Sequence, residues 1–183
     1  MRRPAFLRFL ERPKILVGKK VKLRAKCFED TLDDYRWRRD EELCRLDAAP
    51  TVSISLEDYQ KLVVEQPIYS TGSCQFAIVT VDGKHIGNCS CFNIDSLNRQ
   101  AEIGIMVGEK EYWDQGYGTE ALLIMLNYIF RYTDLNRIHL KTLDWNVRAQ
   151  KCFQKCGFHT CGRLARGEYD FILMEIYRPE KTK

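Results

Sequence analysis

The stretch YWDQGYGTEALLIMLNYIF, residues 112–130, places two glycines in a polar turn directly before an apolar helical pattern. Gly116 and Gly118 lack a Cβ, so backbone amides in this turn can point into one concavity and a ligand can approach closely. A helix that begins here adds unpaired N–H groups and roughly half a positive charge at its N-terminus. The stretch therefore predicts a site for a phosphate or pyrophosphate group, or else only a tight strand-to-helix turn.

Two common phosphate-binding patterns do not fit this turn. No Lys-Ser or Lys-Thr pair follows the glycines, which excludes the phosphate loop of nucleoside triphosphatases. The strand before the turn does not belong to a repeated β-α-β array with an acidic residue about 20 positions on, which excludes a dinucleotide site. If the turn binds a phosphate group, that group therefore belongs to another kind of phosphate-bearing cofactor.

The elements around the turn predict a mixed, mostly antiparallel α/β (α+β) sheet of about seven strands flanked by helices. Alternating or continuous apolar patterns predict the strands, and Asp82-Gly83 is a strong hairpin signal between two of them. The predicted strands are 21–27, 76–81, 85–94, 101–108, 138–143, 158–162 and 169–177. The predicted helices are 3–11, 29–39, one that begins after Ser55, about 117–132, and 147–156.

Composition favours one globular domain and excludes several classes of protein. The chain has 183 residues, of which 45% are hydrophobic, and no apolar run approaches the roughly 18–20 residues that span a membrane. The N-terminal residues show no signal-peptide pattern, so we expect a cytoplasmic protein without membrane association. Eight cysteines without a CxxC pair, and three histidines without ligand spacing, predict buried free thiols and no metal site.

Charge is distributed unevenly along the chain. Residues 1–26 hold ten Lys/Arg against one Glu, a local +9 within a net +4. This basic segment indicates a nucleic-acid contact or a solvated surface, and the absence of an aromatic-basic repeat favours the surface and disfavours nucleic acid. Residues 29–47 hold eight acidic residues against four arginines, which predicts an acidic lining for a cationic amine or a mixed-charge helix face.

Trp113–Ala121 (WDQGYGTEA) resembles the signature of the GNAT superfamily of N-acetyltransferases, in the form closest to its ribosomal-protein N-terminal (Rim-type) branch. The strand AEIGIMVG before it and the segment NVRAQKCFQKCGF (146–158) after it match the same family. The resemblance implies a single GNAT-type domain over 1–183, with 1–15 as a basic extension and the sheet splayed open at the strand that binds the cofactor. A homodimer is left open.

The resemblance also implies acetyl-CoA as co-substrate and a set of residues that bind it. Its pyrophosphate would rest on the amides of the turn, namely Asp114, Gln115, Gly116, Tyr117, Gly118 and Thr119. Trp113 stands where the family usually has Gln or Arg. The pantetheine arm would pair with the exposed backbone of Ile105, Met106 and Val107, and Asn146 would contact the arm, cap its own helix, or do both.

The implied reaction moves an acetyl group to a primary amine, either a protein N-terminal α-amine or a small-molecule amine. Glu102 is the candidate catalytic base, and the alternative is that it is a solvated residue on the exposed side of the sheet; Glu120 is a weaker candidate. Many family members have a tyrosine as general acid at the position of Phe153, which leaves Tyr169, Tyr177 or water for that role. Phe153 therefore also motivates a non-catalytic acyl-CoA-binding module as the alternative function.

Overall fold

The computed structural model describes residues 15–65 and 73–180, and this part of the chain contains one eight-stranded sheet in the order β1-β2-β3-β4-β5-β6-β8-β7. Neighbouring strands are antiparallel except β5 and β6, which are parallel. The strands are β1 (Ile15–Val17), β2 (Val21–Ala25), β3 (Cys74–Thr80), β4 (His85–Asp95), β5 (Gln100–Val107), β6 (Arg137–Leu143), β7 (His159–Arg166) and β8 (Tyr169–Tyr177). The predicted mixed, mostly antiparallel sheet is confirmed.

The eighth strand is the short β1, which the sequence did not reveal. Its three residues pair antiparallel with β2 and are too few for a period-2 pattern to show. The other seven strands lie where they were predicted, and the largest shift is in β7, which continues to Arg166 before the turn into β8. The predicted helix at 3–11 lies outside the described residues.

The helices of the described part are α1 (Thr31–Arg39), α2 (Glu41–Leu46), α3 (Leu56–Glu65), α4 (Tyr117–Tyr132) and α5 (Val147–Lys155). Helix α2 was not predicted, because its six residues are too few for an apolar helical period to show. Asp40 has an extended backbone and its side chain accepts a hydrogen bond from the Leu43 amide at 3.0 Å. It thus ends one helix and caps the next.

Helix α4 is fixed against the sheet by its apolar face. Its buried residues are Ala121, Leu122, Met125, Leu126, Tyr128 and Ile129. The Tyr128 ring also packs edge-on against Phe76 of β3, with ring centroids 5.9 Å apart. Full burial of a Leu, Ile or Met side chain contributes about 1.5–3 kcal/mol to folding. The buried face of α4 therefore holds the N-terminus of the helix in place.

Strands β5 and β6 separate soon after they meet. They pair at three positions, Gln100↔Arg137, Ala101↔Ile138 and Glu102↔His139. Beyond Glu102, β5 continues along β4 to Val107, while β6 continues along β8 to Leu143. A V-shaped gap therefore opens in the sheet, as the predicted splay requires, and we call it the cleft.

All eight cysteines are free thiols. Five are buried, in agreement with the prediction, whereas Cys27 and Cys161 are exposed and Cys152 is half-buried. None of the helices in the described part is long and apolar enough to cross a membrane.

Candidate active site

A cavity lies at the open end of the cleft, between β5, the turn before α4, and α5. Nine of the twelve predicted site residues line it: Ile105, Met106, Val107, Trp113, Asp114, Gly116, Gly118, Thr119 and Asn146. Gln115, Tyr117 and Glu102 are not among its lining residues. The Tyr117 ring instead packs edge-on against Tyr112, with centroids 4.9 Å apart. The structure thus brings most of the predicted binding residues around one space.

The turn before α4 is built to present backbone amides. Gly116 has φ 84° and directly precedes the first helical residue, and Asp114 also has a left-handed backbone at φ 58°. The first N–H groups of α4 have no partner within the helix, and Gly118 and Thr119 of this first turn line the cavity. Roughly half a positive charge from the helix adds to them, and the turn therefore suits an anionic group.

Two contacts from the β1–β2 turn hold this donor turn in position. The Glu120 carboxylate accepts hydrogen bonds from the amides of Lys19 and Lys20, the second at 3.0 Å. The Lys20 ammonium donates to the Gln115 carbonyl at 2.7 Å. Glu120 therefore has a structural role, which agrees with its weaker claim as a base.

Three cations on α5 were missed by the sequence analysis. Arg148, Lys151 and Lys155 all line the cavity. Their spacing of three and four residues puts them on one face of the helix, and that spacing is readable in the sequence. The Arg148 guanidinium stacks on the Trp113 ring, 3.5 Å from its centroid. Together they make this wall of the cavity positive, which suits phosphate groups.

The backbone of β5 alternates in the direction of its polar groups. The Gly108 amide donates to the Ile86 carbonyl at 2.8 Å, which shows which residues of β5 bond to β4 in the antiparallel ladder. The N–H and C=O groups of Met106 therefore face β4, and those of Ile105 and Val107 face the cleft. The Trp113 indole N–H donates to the Val107 carbonyl at 2.7 Å. Met106 reaches the cavity only through its side chain.

Glu102 lies at the apex of the cleft, in the last β5–β6 pair. Its side chain is on the same face of the sheet as that of Met106, because the two positions are four apart on one strand. The residue is 9% exposed, which argues against the solvated alternative. Its carboxylate accepts hydrogen bonds from Asn93 at 2.9 Å and from Lys141 at 3.0 Å.

The model of the acetyltransferase (GNAT) domain family matches residues 20–159. The chain belongs to the GNAT family. Acetyl-CoA-dependent N-acetylation is therefore its general activity, and the family match leaves the amine acceptor undetermined.

Several known proteins resemble this GNAT. YdaF of Bacillus subtilis (strain 168), provisionally named a ribosomal N-acetyltransferase, is 32% identical over 88 residues, which are 48% of each chain. Human alpha/beta-tubulin-N-acetyltransferase 9 is 27% identical over 79% of this chain and 74% of its own length. The spermidine N-acetyltransferase of Vibrio cholerae, solved with CoA and spermine, superposes with a TM-score of 0.79 at 20% identity, over 88% of this chain and 97% of that one. The match to YdaF agrees with the Rim-type resemblance.

The position of the usual tyrosine is filled in this GNAT by a core residue. Phe153 is 7% exposed and its ring packs against Phe158, with centroids 6.1 Å apart. Neither Tyr169 nor Tyr177, both on β8, is among the lining residues of the cavity. The tyrosine among the cavity's lining residues is Tyr112, which precedes the turn before α4 and therefore does not occupy the usual position on α5.

A thiol with unusual chemistry also lines the cavity of this GNAT. The Cys152 Sγ lies 3.3 Å from the Thr119 hydroxyl oxygen. A hydrogen bond from the Cys156 thiol lowers the pKa of Cys152 below its usual value, although burial opposes the shift. Cys152 is the one cysteine among the described residues that line the cavity, and this shift makes its thiol easier to ionise.

The acidic stretch between β2 and α3 is mostly neutralised by ion pairs. Six of the eight carboxylates have basic partners: Asp30 with Arg24, Asp33 with Arg36, Asp34 with Lys26, Asp47 with Arg38, and Asp40 and Glu42 with Lys110. Asp47 alone of the eight is among the lining residues of the cavity. The mixed-charge alternative describes this surface better than an acidic lining does.

Proposed function

We propose that this GNAT transfers the acetyl group of acetyl-CoA to a primary amine, with the N-terminal α-amine of a polypeptide as the first candidate acceptor. The observation that carries the proposal is the gap beyond the Glu102–His139 pair, with a cavity at its open end. A strand-like arm can enter such a gap and form hydrogen bonds with the backbone groups of β5 that do not pair with β6.

The phosphate end of acetyl-CoA would bind at the turn and at α5. The amides from Asp114 to Thr119 supply donors with fixed geometry, since the helix behind them is buried. Arg148, Lys151 and Lys155 supply charge beside them. This division resembles other anion sites, in which backbone groups fix the geometry and cations add attraction.

The pantetheine arm would run along β5. The cleft-facing groups of Ile105 and Val107 are the backbone partners we propose for it. The Val107 carbonyl already accepts a hydrogen bond from the Trp113 indole at 2.7 Å. An arm that donates to this carbonyl would therefore share it with the indole N–H or displace the indole. Asn146 caps α5 through its side-chain oxygen, which leaves its NH₂ group as a donor to the arm.

The transfer needs a neutral amine, and Glu102 is the proposed base. An α-amine has a pKa near 8 and a lysine amine near 10.4, so either acceptor arrives mostly protonated at neutral pH. Glu102 would take this proton directly or through water. The nitrogen then attacks the thioester carbon and a C–N bond forms. The C–S bond breaks with its electron pair on sulfur, and the nitrogen loses its second proton to water, which leaves a neutral amide. The Val107 amide is the proposed donor to the thioester oxygen.

Protonation of the departing thiolate is assigned to water. Phe153 has no proton to give, and its ring is buried in the core. A thiol has a pKa of about 8.5, so its thiolate leaves without a strong acid and transfer is expected to persist. Phenylalanine at position 153 is therefore expected to slow the transfer, and it does not by itself favour the non-catalytic acyl-CoA-binding module.

Two considerations favour a polypeptide N-terminus over a polycation. The names of YdaF and of the tubulin acetyltransferase refer to protein acceptors. A polyamine such as the spermine bound to the Vibrio cholerae enzyme remains the second candidate, because the two folds agree closely. The ion pairs of the 29–47 stretch weigh against it, since a polycation is attracted by carboxylates that lack partners.

The test is release of free thiol from acetyl-CoA with a panel of acceptors. The panel contains peptides with different first residues, the same peptides with blocked N-termini, and spermine. We expect acceptor-dependent thiol release with unblocked peptides, and loss of that release in Glu102→Gln. Tight CoA binding without any transfer would overturn the proposal in favour of the binding module, and transfer to spermine alone would replace the acceptor class.

A further inference from the structure

The Glu102 carboxylate is held by side chains from two different strands. Its Oε2 accepts from the Asn93 amide nitrogen on β4 at 2.9 Å, and its Oε1 lies 3.0 Å from the Lys141 ammonium on β6. Each oxygen therefore has one donor, and the donors come from opposite sides of β5. We call this arrangement the Asn93–Lys141 clamp.

Asn93 reaches Glu102 because β4 is irregular at this point. The register between β4 and β5 shifts between Phe92 and Asp95, and Asn93 has φ 50°. A left-handed backbone is costly for residues other than glycine, and asparagine is among those that tolerate it best. Irregularities of this kind re-aim a side chain, and here the re-aimed amide points at a carboxylate.

Lys141 reaches Glu102 across the start of the cleft. The last β5–β6 pair is Glu102↔His139, and Lys141 lies two residues further along β6 on the same face as His139. Its ion pair with Glu102 thus joins the two strands where their backbone pairing has ended. The Lys141 side chain is 38% exposed, against 12% for Glu102, so the ammonium lies on the open side of the pair.

The clamp orients the Glu102 carboxylate and leaves part of its hydrogen-bonding capacity free. A carboxylate has about four lone-pair positions, and two bonds leave positions on both oxygens for water or an ammonium group. We infer that Asn93 and Lys141 are positioning residues that orient Glu102 for proton transfer from the acceptor amine; this rests on the proposed role of Glu102 as the base.

A clamp that only joined strands would affect stability and leave the kinetics alone. A clamp that orients a base acts on the chemical step, since a displacement of the order of 1 Å can cost about 100-fold in rate. The two roles are separated by kcat for the acetyl transfer, the KM for the acceptor and the affinity for CoA. CoA binds at the turn and along the end of β5, away from the clamp, so its affinity reports on the rest of the site.

The experiment uses three variants of the full chain. Asn93→Gly removes the amide and suits the left-handed backbone, Lys141→Met removes the ammonium, and Lys141→Arg restores a cationic donor. The matched controls are Arg99→Gly, at a second left-handed position of the same hairpin, and Lys61→Met, which breaks an exposed Lys–Glu pair of 2.8 Å on α3. Each is assayed for kcat, acceptor KM, calorimetric CoA affinity and urea unfolding.

We expect Asn93→Gly and Lys141→Met each to lower kcat by about 10-fold or more, with unchanged CoA affinity, and Lys141→Arg to recover most of the loss. Both controls should keep the wild-type kcat. Wild-type kcat in both Asn93→Gly and Lys141→Met, together with an inactive Glu102→Gln, would overturn the inference and leave the proposed function standing. A wild-type protein that transfers no acetyl group would instead overturn the proposed function, and the clamp with it.

Discussion

The two glycines of the turn differ in what each one contributes. Gly116 has φ 84° and only the Lys20 ammonium near its missing Cβ, so its role is in the backbone. Gly118 lies within α4, where a Cβ would lie 3.5 Å from Val107 and 3.9 Å from Cys152. That space belongs to the cavity, so the missing Cβ of Gly118 leaves room for a ligand.

Gly118→Ala should therefore stabilise the fold and weaken CoA binding. Alanine in a helix is favoured over glycine by about 0.5–1 kcal/mol, and its methyl group would fill ligand space. Urea unfolding and calorimetric titration measure the two effects. The matched variant Gly116→Ala should lose about 1–2 kcal/mol of stability because of its left-handed backbone. Wild-type CoA affinity in Gly118→Ala would contradict this assignment of the cavity.

Cys152 should be the fastest of the eight cysteines to react with iodoacetamide at neutral pH. The hydrogen bond from Cys156 lowers the pKa of Cys152, and the thiolate is the reactive form. The exposed Cys27 is the comparison, since burial and neighbouring acidic groups raise its pKa. Peptide mass spectrometry gives the rates, and CoA should slow the reaction at Cys152. Equal labelling with and without saturating CoA would contradict the proposed path of the arm.

At the scale of elements, α5 contributes both the cap residue and the cations of the cavity. Asn146 begins the helix, and its side-chain oxygen accepts from the Ala149 amide at 3.1 Å. Asn and Asp are about equally good N-caps, whereas alanine costs about 1 kcal/mol. The cap and the proposed cofactor contact can therefore be separated by choice of the substituent.

Asn146→Asp should keep the stability of the protein and lose CoA affinity, because it keeps the capping oxygen and replaces the NH₂ donor by a negative charge. Asn146→Ala should lose both. Thermal unfolding and calorimetric titration of the two variants are compared with wild type. An Asp variant that binds CoA as tightly as wild type would show that Asn146 is a cap only.

The sequence predicts an element well when the residues that determine it are close together in the chain, and poorly when they are far apart. Helix α4 was predicted with its observed ends, 117 and 132, since the glycine turn and the apolar face are both local. The splay followed from the family resemblance, because pairing between β5 and β6 depends on distant residues. Helix α2 was missed since its six residues are too few for a helical period to show, and the Asn93–Lys141 clamp joins residues 48 positions apart.

At the scale of the whole molecule, a buried carboxylate ties the β2 end of the sheet to α1. Burial alone would raise the pKa of Asp30, but hydrogen bonds from the Arg24 guanidinium and the Cys27 amide outweigh it and lower the pKa to about 2. A carboxyl group with a lowered pKa stabilises the fold above its unfolded value of about 3.9, and this contribution is lost as pH falls through the folded value.

The free energy of unfolding should therefore drop by about 2 kcal/mol from this group between about pH 4 and pH 2. Asp30→Asn should be less stable than wild type at neutral pH and should show a shallower loss over the acidic range. Urea unfolding at a series of pH values measures both. Parallel curves for the two proteins would contradict the assignment of this acid sensitivity to Asp30.

At this scale, we propose that the cleft, the donor turn and the cations of α5 together bind coenzyme A. Calorimetric titration of the wild-type protein with CoA tests this most directly, because it needs no acceptor. The account predicts saturable binding at one site per chain, weakened by Gly118→Ala and Asn146→Asp. Absence of any binding heat with the folded wild-type protein, or equal affinity in all three proteins, would contradict it.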